Sequence, residues 1–225
     1  MFKSVLFYTN KLKSLKRFYA NVMALDITGS TSEQFTVNVG ETDITFKQTE
    51  TASFYHFAIN IPGNQFVIMK HWIQDRLTLN KDGGINEIYY PSLDADSMYF
   101  EDPAGNLIEL IGRRSRDLFG PLTKEAFFNV SEVGLITPYV MEVGDELQDF
   151  EIPLRHGAEV DPNALNYLGR DDTFIVLAQP AWKWRFSEKK AETHPLEITL
   201  KDDRHIVLDN DGMVALSAKE EQDKE

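Results

Sequence analysis

In the segment FYHFAINI, residues 54–61, alternation with a period of two sends Phe57, Ile59 and Ile61 to one face and His56, Ala58 and Asn60 to the other. In NLIELI, residues 106–111, the same division puts Ile108 and Leu110 on a core side and Leu107 and Glu109 opposite. His56 and Glu109 are therefore expected to project from one sheet face. An imidazole and a carboxylate on a rigid sheet can begin a divalent metal site, because mixed nitrogen and oxygen donors suit Zn, Fe, Mn, Ni or Co. A catalytic ion also needs further donors and a position left open for substrate. The same two residues could instead form a hydrogen-bonded pair or sit as polar groups on an exposed edge. Asn60, on the face of His56, is a polar candidate for ligand binding. Tyr99, in YFEDPAGNLIEL, shares a face with Ser97 and could donate to a ligand or serve as a buried structural phenol.

The elements that must carry these residues recur. KSVLFYT reads as a strand, Asn10 stands where a helix cap is wanted, and KLKSLKRFYANVMAL places Leu12, Leu15, Tyr19 and Val22 on one helical face. A short strand near Leu25 to Thr28 and the alternating runs QFTVNV and TDITFKQ, turned at Gly40-Glu41, complete a β-α-β-β-β order. The order then repeats. FYHFAINI is followed by the break Pro62-Gly63-Asn64, by a helix with Phe66, Met69, Ile73 and Leu77 at helical spacing, and by strands in NEIYYP, DSMYF and NLIELI. A unit of about fifty residues occurring twice is an internal repeat.

After RRSRDLFGPLTKEA the order returns in weaker form, as NVSEVGLIT, a short helix in MEVGDELQDF, then ALNYLG and DTFIVLA. PLEITL and HIVLDNDGMVALS add strands without a helix. There DNDGMVAL echoes DPAGNLIEL, with Gly212 matching Gly105 and Leu216 standing where Glu109 stood. These patterns divide the chain into residues 1–112, a linker 113–127 and a degenerate copy 128–225.

The βαβββ repeat, the Phe18-Tyr19 pair, the YHFAINI strand and above all YFEDPAGNLIELI resemble the vicinal oxygen chelate superfamily. That group includes glyoxalase I, extradiol dioxygenases, fosfomycin resistance enzymes and bleomycin-binding proteins. The resemblance covers residues 1–112 well and 128–220 weakly. It implies an α+β fold of paired βαβββ modules whose sheets form troughs, the second half being a degenerate copy. It implies His56 and Glu109 as metal ligands, Glu109 also as a catalytic group, and a divalent Zn, Fe, Mn or Ni ion as cofactor. The family's first-strand His falls at Ser4, and a further Glu or Gln of some members falls at Thr45, with Gln48 nearby. Because Leu216 replaces the acid in the carboxy-terminal copy, any metal is expected in the first trough.

The bulk numbers narrow the partners. With 36 acidic against 23 basic residues the formal net charge is -13, which excludes a general binder of nucleic-acid phosphates and favours small, neutral or cationic partners. The absence of cysteine removes disulfides, thiolate sites and a Cys nucleophile. No window approaches the roughly 18 apolar residues of a membrane span and no leader pattern opens the chain, so a cytoplasmic protein with no membrane partner is expected. The end AKEEQDKE reads as a solvated tail. Trp182, Trp184 and Phe186 in QPAWKWRF read as core or domain interface, with a clamp on a flat ligand as the alternative. His71, His156, His194 and His205 read as surface residues. No phosphate-binding Gly-rich loop and no GxSxG motif is present.

Three functions fit. One is a metal-dependent enzyme of isomerase, lyase or dioxygenase type acting on a small molecule with vicinal oxygens. A second is a metal-free small-molecule or antibiotic binder of the bleomycin-resistance type. The third is an interaction module whose degenerate half forms a homodimer surface.

Overall fold

Val5, Phe7 and Thr9 alternate with half-exposed Ser4, Leu6 and Tyr8 along β1 (Phe2–Thr9), and this period of two recurs through most of the chain. The structure, a computed structural model, describes residues 1–155 and 159–218, so His156 and all of the acidic tail beyond Ala218 fall outside the described residues. α1 (Leu12–Arg17) starts without a side-chain cap; Thr9 Oγ1, not Asn10, accepts the Lys11 N–H at 3.0 Å. A π-helical turn, Phe18–Val22, continues it and buries Phe18 and Tyr19. β2 (Ile27–Ser30), β3 (Gln34–Val39) and β4 (Thr42–Gln48) complete the first module.

The second module is β5 (His56–Pro62), α2 (Phe66–Gln74), β6 (Ile88–Tyr90), β7 (Ala95–Glu101) and β8 (Leu107–Arg113). Asn64, in the break before α2, exchanges two hydrogen bonds with the Leu118 backbone at 3.1 Å each. The third module, β9 (Asn129–Ile136), α3 (Val140–Asp149), β10 (Asn166–Arg170) and β11 (Thr173–Ala178), has lost one strand. The fourth, β12 (Leu196–Leu200), β13 (His205–Leu208) and β14 (Val214–Ser217), has lost its helix. The fold is α+β, built from βαβββ modules of which the last two are trimmed. Among the described residues no helix is long and apolar enough to cross a membrane.

The modules pair out of chain order. One seven-stranded sheet runs β14-β13-β12-β1-β4-β3-β2 and joins the first module to the fourth; the other runs β10-β11-β9-β5-β8-β7-β6 and joins the second to the third. Neither sheet is confined to residues 1–112. The joints are antiparallel: β1 pairs with β12, and β5 with β9. The two sheets share one apolar core. Phe7 of the first sheet lies 5.3 Å, ring to ring, from Phe57 of the second, and Ile59, Ile61, Ile108 and Leu110 point into the same core. That leaves the opposite face of the second sheet to carry His56, Leu107 and Glu109.

Candidate metal centre

Two backbone ties set where β5 begins, and so where His56 points. Asp102 closes the DPAGN turn by accepting the N–H groups of Ala104 at 2.9 Å and Asn106 at 3.1 Å, while Gly105, at φ +86°, supplies the left-handed residue. Asn106 then accepts the Tyr55 N–H at 2.8 Å, one residue before His56. The other Asp102 oxygen accepts the Asn106 amide at 2.7 Å and the Tyr19 hydroxyl at 2.9 Å, so the first module's helix is pinned to the second module's turn. The two strings that carried the family resemblance are thus bonded to each other.

His56 Nδ1 lies 3.1 Å from the Leu107 carbonyl oxygen, which can only accept; Nδ1 therefore carries the proton, and Nε2 presents a lone pair. Burial holds the imidazole neutral by lowering its pKa to about 4. Nε2 faces a Glu109 carboxylate oxygen at 3.8 Å, too far for a hydrogen bond. A third buried donor joins them. Glu132, on β9, brings a carboxylate oxygen so that the three ligand atoms all lie within 4.8 Å of one another.

Two buried carboxylates at this range repel. Burial, and then the charge of Glu109, push Glu132 up to about 8, with Arg113 and Arg155 opposing. Burial raises Glu109 too, against the Ser97 and Tyr99 hydroxyls and the charge of Arg113. The cluster is compatible with a divalent ion, which would cancel both negative charges and use all three lone pairs. Two donors about 2.1 Å from one ion stand roughly 3 to 4.2 Å apart, the range in which His56 and Glu109 already lie.

Register explains why Glu132 is there. In the β5–β9 joint Phe57 faces Val133 and Ala58 faces Glu132, so a local twofold carries His56 onto Glu132 and Ala58 onto Gly134. It carries Glu109, beside Ala58, onto Val176, beside Gly134, and Tyr99 onto Tyr167. The trough thus has four places related by the twofold, filled by His, Glu, Glu and Val. The expected partner positions, Ser4 and Thr45, lie in the other sheet, where Thr45 bonds Thr36 at 2.9 Å, and Leu216 is there as well. Gln48 spends its amide on the Thr49 carbonyl.

A cavity of about 320 Å³ opens above the three donors. Tyr99 lines it, bonded to the Tyr90 hydroxyl at 3.0 Å, and burial with the Glu109 charge keeps its phenol protonated. Asn60 does not reach it: its amide donates to Asn129 and the Asp172 carbonyl and accepts from Arg113, and it is fully buried.

The segment 179–194 roofs the cavity. It is a loop, and its aromatics, expected in a core or domain interface, face the site. Trp184 lies 4.4 Å from the His56 ring, Phe186 stacks on Tyr99 at 4.7 Å, and Trp182 lines the opening. Lys189 pins the loop to the Gly105 carbonyl at 2.6 Å, and Asn80 donates to the Phe186 carbonyl at 2.8 Å. Gly134 makes the room: a Cβ there would stand 3.1 Å from the His56 carbonyl and 3.5 Å from Trp184. Of the other histidines, His71 and His205 are exposed, but His194 is half-buried edge-on to Phe54 and Tyr55.

Sequence reasoning missed Glu132, Tyr90, Tyr167 and Arg155. Glu132 carried the same signal as Glu109, an acid inside an apolar strand; the others carried none.

The family model for the toxoflavin-degrading enzyme matches residues 130–181, the stretch from β9 to the roof. Among solved structures, one from Bacillus subtilis subsp. subtilis str. 168, provisionally named a dioxygenase, is similar over 95% of this chain and 83% of its own, with a TM-score of 0.60 and 14% identity. Lactoylglutathione lyase from Agrobacterium tumefaciens aligns over 51% of this chain and 95% of its own, with a TM-score of 0.44 and 14% identity. A fosfomycin resistance protein from Listeria monocytogenes, solved with Mn(II) and 1S,2S-dihydroxypropylphosphonic acid, aligns over 50% and 89%, with a TM-score of 0.39 and 15% identity. No curated protein matches the sequence significantly.

Proposed function

We propose that this chain, which has the fold of the glyoxalase/bleomycin resistance/dioxygenase superfamily, is a divalent-metal-dependent enzyme acting on a small molecule with vicinal oxygens, by isomerase, lyase or dioxygenase chemistry. One observation carries the reading: the His56 Nε2 lone pair and one carboxylate oxygen each from Glu109 and Glu132, all buried, lie within 4.8 Å of one another. His56, Glu109 and Glu132 would hold the ion. One imidazole and two carboxylates form a harder set than two imidazoles and one carboxylate, which favours Mn(II) or Fe(II) over softer ions. A bound ion supplies Lewis-acid stabilisation of charge developing on chelated oxygens.

The remaining work belongs to the protein's own groups. Trp184 and the roof exclude water from His56, which strengthens each electrostatic contact beneath. The Leu107 carbonyl fixes the His56 tautomer. Tyr99, protonated at neutral pH, donates its O–H to Glu109 and so holds that carboxylate in place beneath the cavity. Val176 leaves one ligand place without a donor, which keeps a position open.

The test is metal content of the purified protein and thermal shift with Mn(II), anaerobic Fe(II), Zn, Ni and Co, alongside His56→Ala. Saturation at a hundred times Kd stabilises by about 2.7 kcal/mol, so the preferred ion is expected to raise the wild-type Tm by roughly 5 °C or more and that of His56→Ala little. If no ion is retained and none raises the wild-type Tm more than it raises that of His56→Ala, the aromatic cavity alone remains and the metal-free binder takes over.

A further inference from the structure

The chain carries a formal net charge of -13, yet three cations line the cavity mouth, Arg155, Lys183 and Arg185. Arg155 is held by the Ser92 carbonyl, to which its Nη2 donates at 2.9 Å, and among the described residues no carboxylate forms an ion pair with it. Arg185 lies 5.8 Å from both the Tyr90 and Phe186 rings and 3.5 Å from Asp82. Lys183 lies 3.3 Å from Glu188. Both of these ion pairs are exposed, and such pairs are weak enough to leave their cations available to a ligand. At physiological salt the Debye length is about 8 Å, so the distant acids of the surface are screened and the rim decides what enters.

The walls are as informative as the rim. Tyr90, Tyr99, Tyr167, Trp182 and Trp184 all line a cavity of about 320 Å³, and flat faces of this kind stack on flat ligands. Glu109 and Glu132 are buried at the floor, whereas Lys183 and Arg185 are exposed at the mouth, so the outer end of a ligand meets positive charge with or without a bound ion. We infer that the substrate is a planar aromatic anion: a ring that stacks between the aromatic walls, with vicinal oxygens at one end and an anionic substituent at the other, received by Arg155 and Arg185. The placing of the oxygens rests on the metal reading above; the ring and charge preference do not. This reverses the preference for cationic partners that the net charge suggested, because the cavity and the whole chain differ in sign.

The test separates the two readings. Calorimetry on chelator-treated protein compares three non-chelating probes of one shape: 2-naphthoate, 2-naphthamide and 2-naphthylmethylammonium. The anion is expected to bind at least about tenfold tighter than the neutral amide, as a charge-assisted contact allows, and the cation weakest. Arg155→Gln and Arg185→Gln should each remove most of that preference and leave amide binding unchanged, which also shows that both substituted proteins fold. Arg76→Gln, just beyond α2 and outside the cavity lining, should keep it. Equal affinities, a cation preference, a preference that survives both substitutions, or no binding of any probe would overturn the inference. Failure of the metal reading shows elsewhere, in 3,4-dihydroxybenzoate gaining no affinity from Mn(II) in wild type over His56→Ala.

Discussion

Glu132 holds a buried carboxylate beside a second one, and Arg113 and Arg155 offset only part of the repulsion. Its behaviour with pH follows. The folded protein keeps the proton up to about 8, while the unfolded chain releases it near 4.3. Stability from this group is therefore full below about pH 4 and is lost as pH rises through about 8. Glu132→Gln keeps the shape without the charge. In chelator it is predicted to melt above wild type near pH 8 and level with it near pH 5, by calorimetry; with Mn(II) the order reverses, since the substitution removes a ligand. If Glu132→Gln melts below wild type in chelator at high pH, the charge-repulsion argument fails. His56 and Glu109 are legible from alternation alone, because a strand has only two faces. Glu132 shows the same anomaly in NVSEVGLIT, but it joins the other two only through the β5–β9 pairing, and nothing local in the sequence specifies which strand edges meet.

At the scale of elements, the DPAGN turn and the Tyr19 turn act as one fastening. Asp102, raised to about 6 by burial and held there against the hydrogen bonds it accepts, takes the Tyr19 hydroxyl. Tyr19→Phe removes a donor that favours the carboxylate, so the loss should be about 1 to 2 kcal/mol and larger above pH 6 than below it. Urea midpoints at two pH values on either side of 6 measure this, and equal losses would mean that Asp102 stays ionised throughout. Strands and helices are readable because each obeys a period: QFTVNV and TDITFKQ coincide with β3 and β4. The roof over 179–194 obeys none. Its course is set by single contacts from elsewhere, Lys189 to Gly105 and Asn80 to Phe186, and by left-handed backbone at Ala181 and Phe186, at φ +69° and +56°. Such a segment has no local signature, and its aromatics read as interface for that reason.

For the whole molecule, the repeat is visible in the sequence but its pairing is not. Modules one and four share a sheet, as do two and three, so the chain folds back on itself, and contacts between residues 200 apart close the first sheet, as Lys3 with Asp203 shows. Residues 1–112 expressed alone would leave β1 and β5 as open edges and lack Glu132. That fragment is expected to aggregate or to show no cooperative melt by circular dichroism, and to gain nothing from Mn(II); a monomeric, cooperatively folded fragment would contradict the sheet order. The local twofold of the trough also bears on regiochemistry. A planar molecule can enter a twofold groove in two orientations related by its axis, and equal donors would make them equal in energy. Here one side offers Glu109 and the other Val176. A polar contact present in one orientation and absent in the other is worth about 1 to 3 kcal/mol, a preference of roughly 5- to 150-fold. The groove therefore fixes which end of a ligand lies over Glu109, and a molecule with two similar reactive ends would react mainly at one of them.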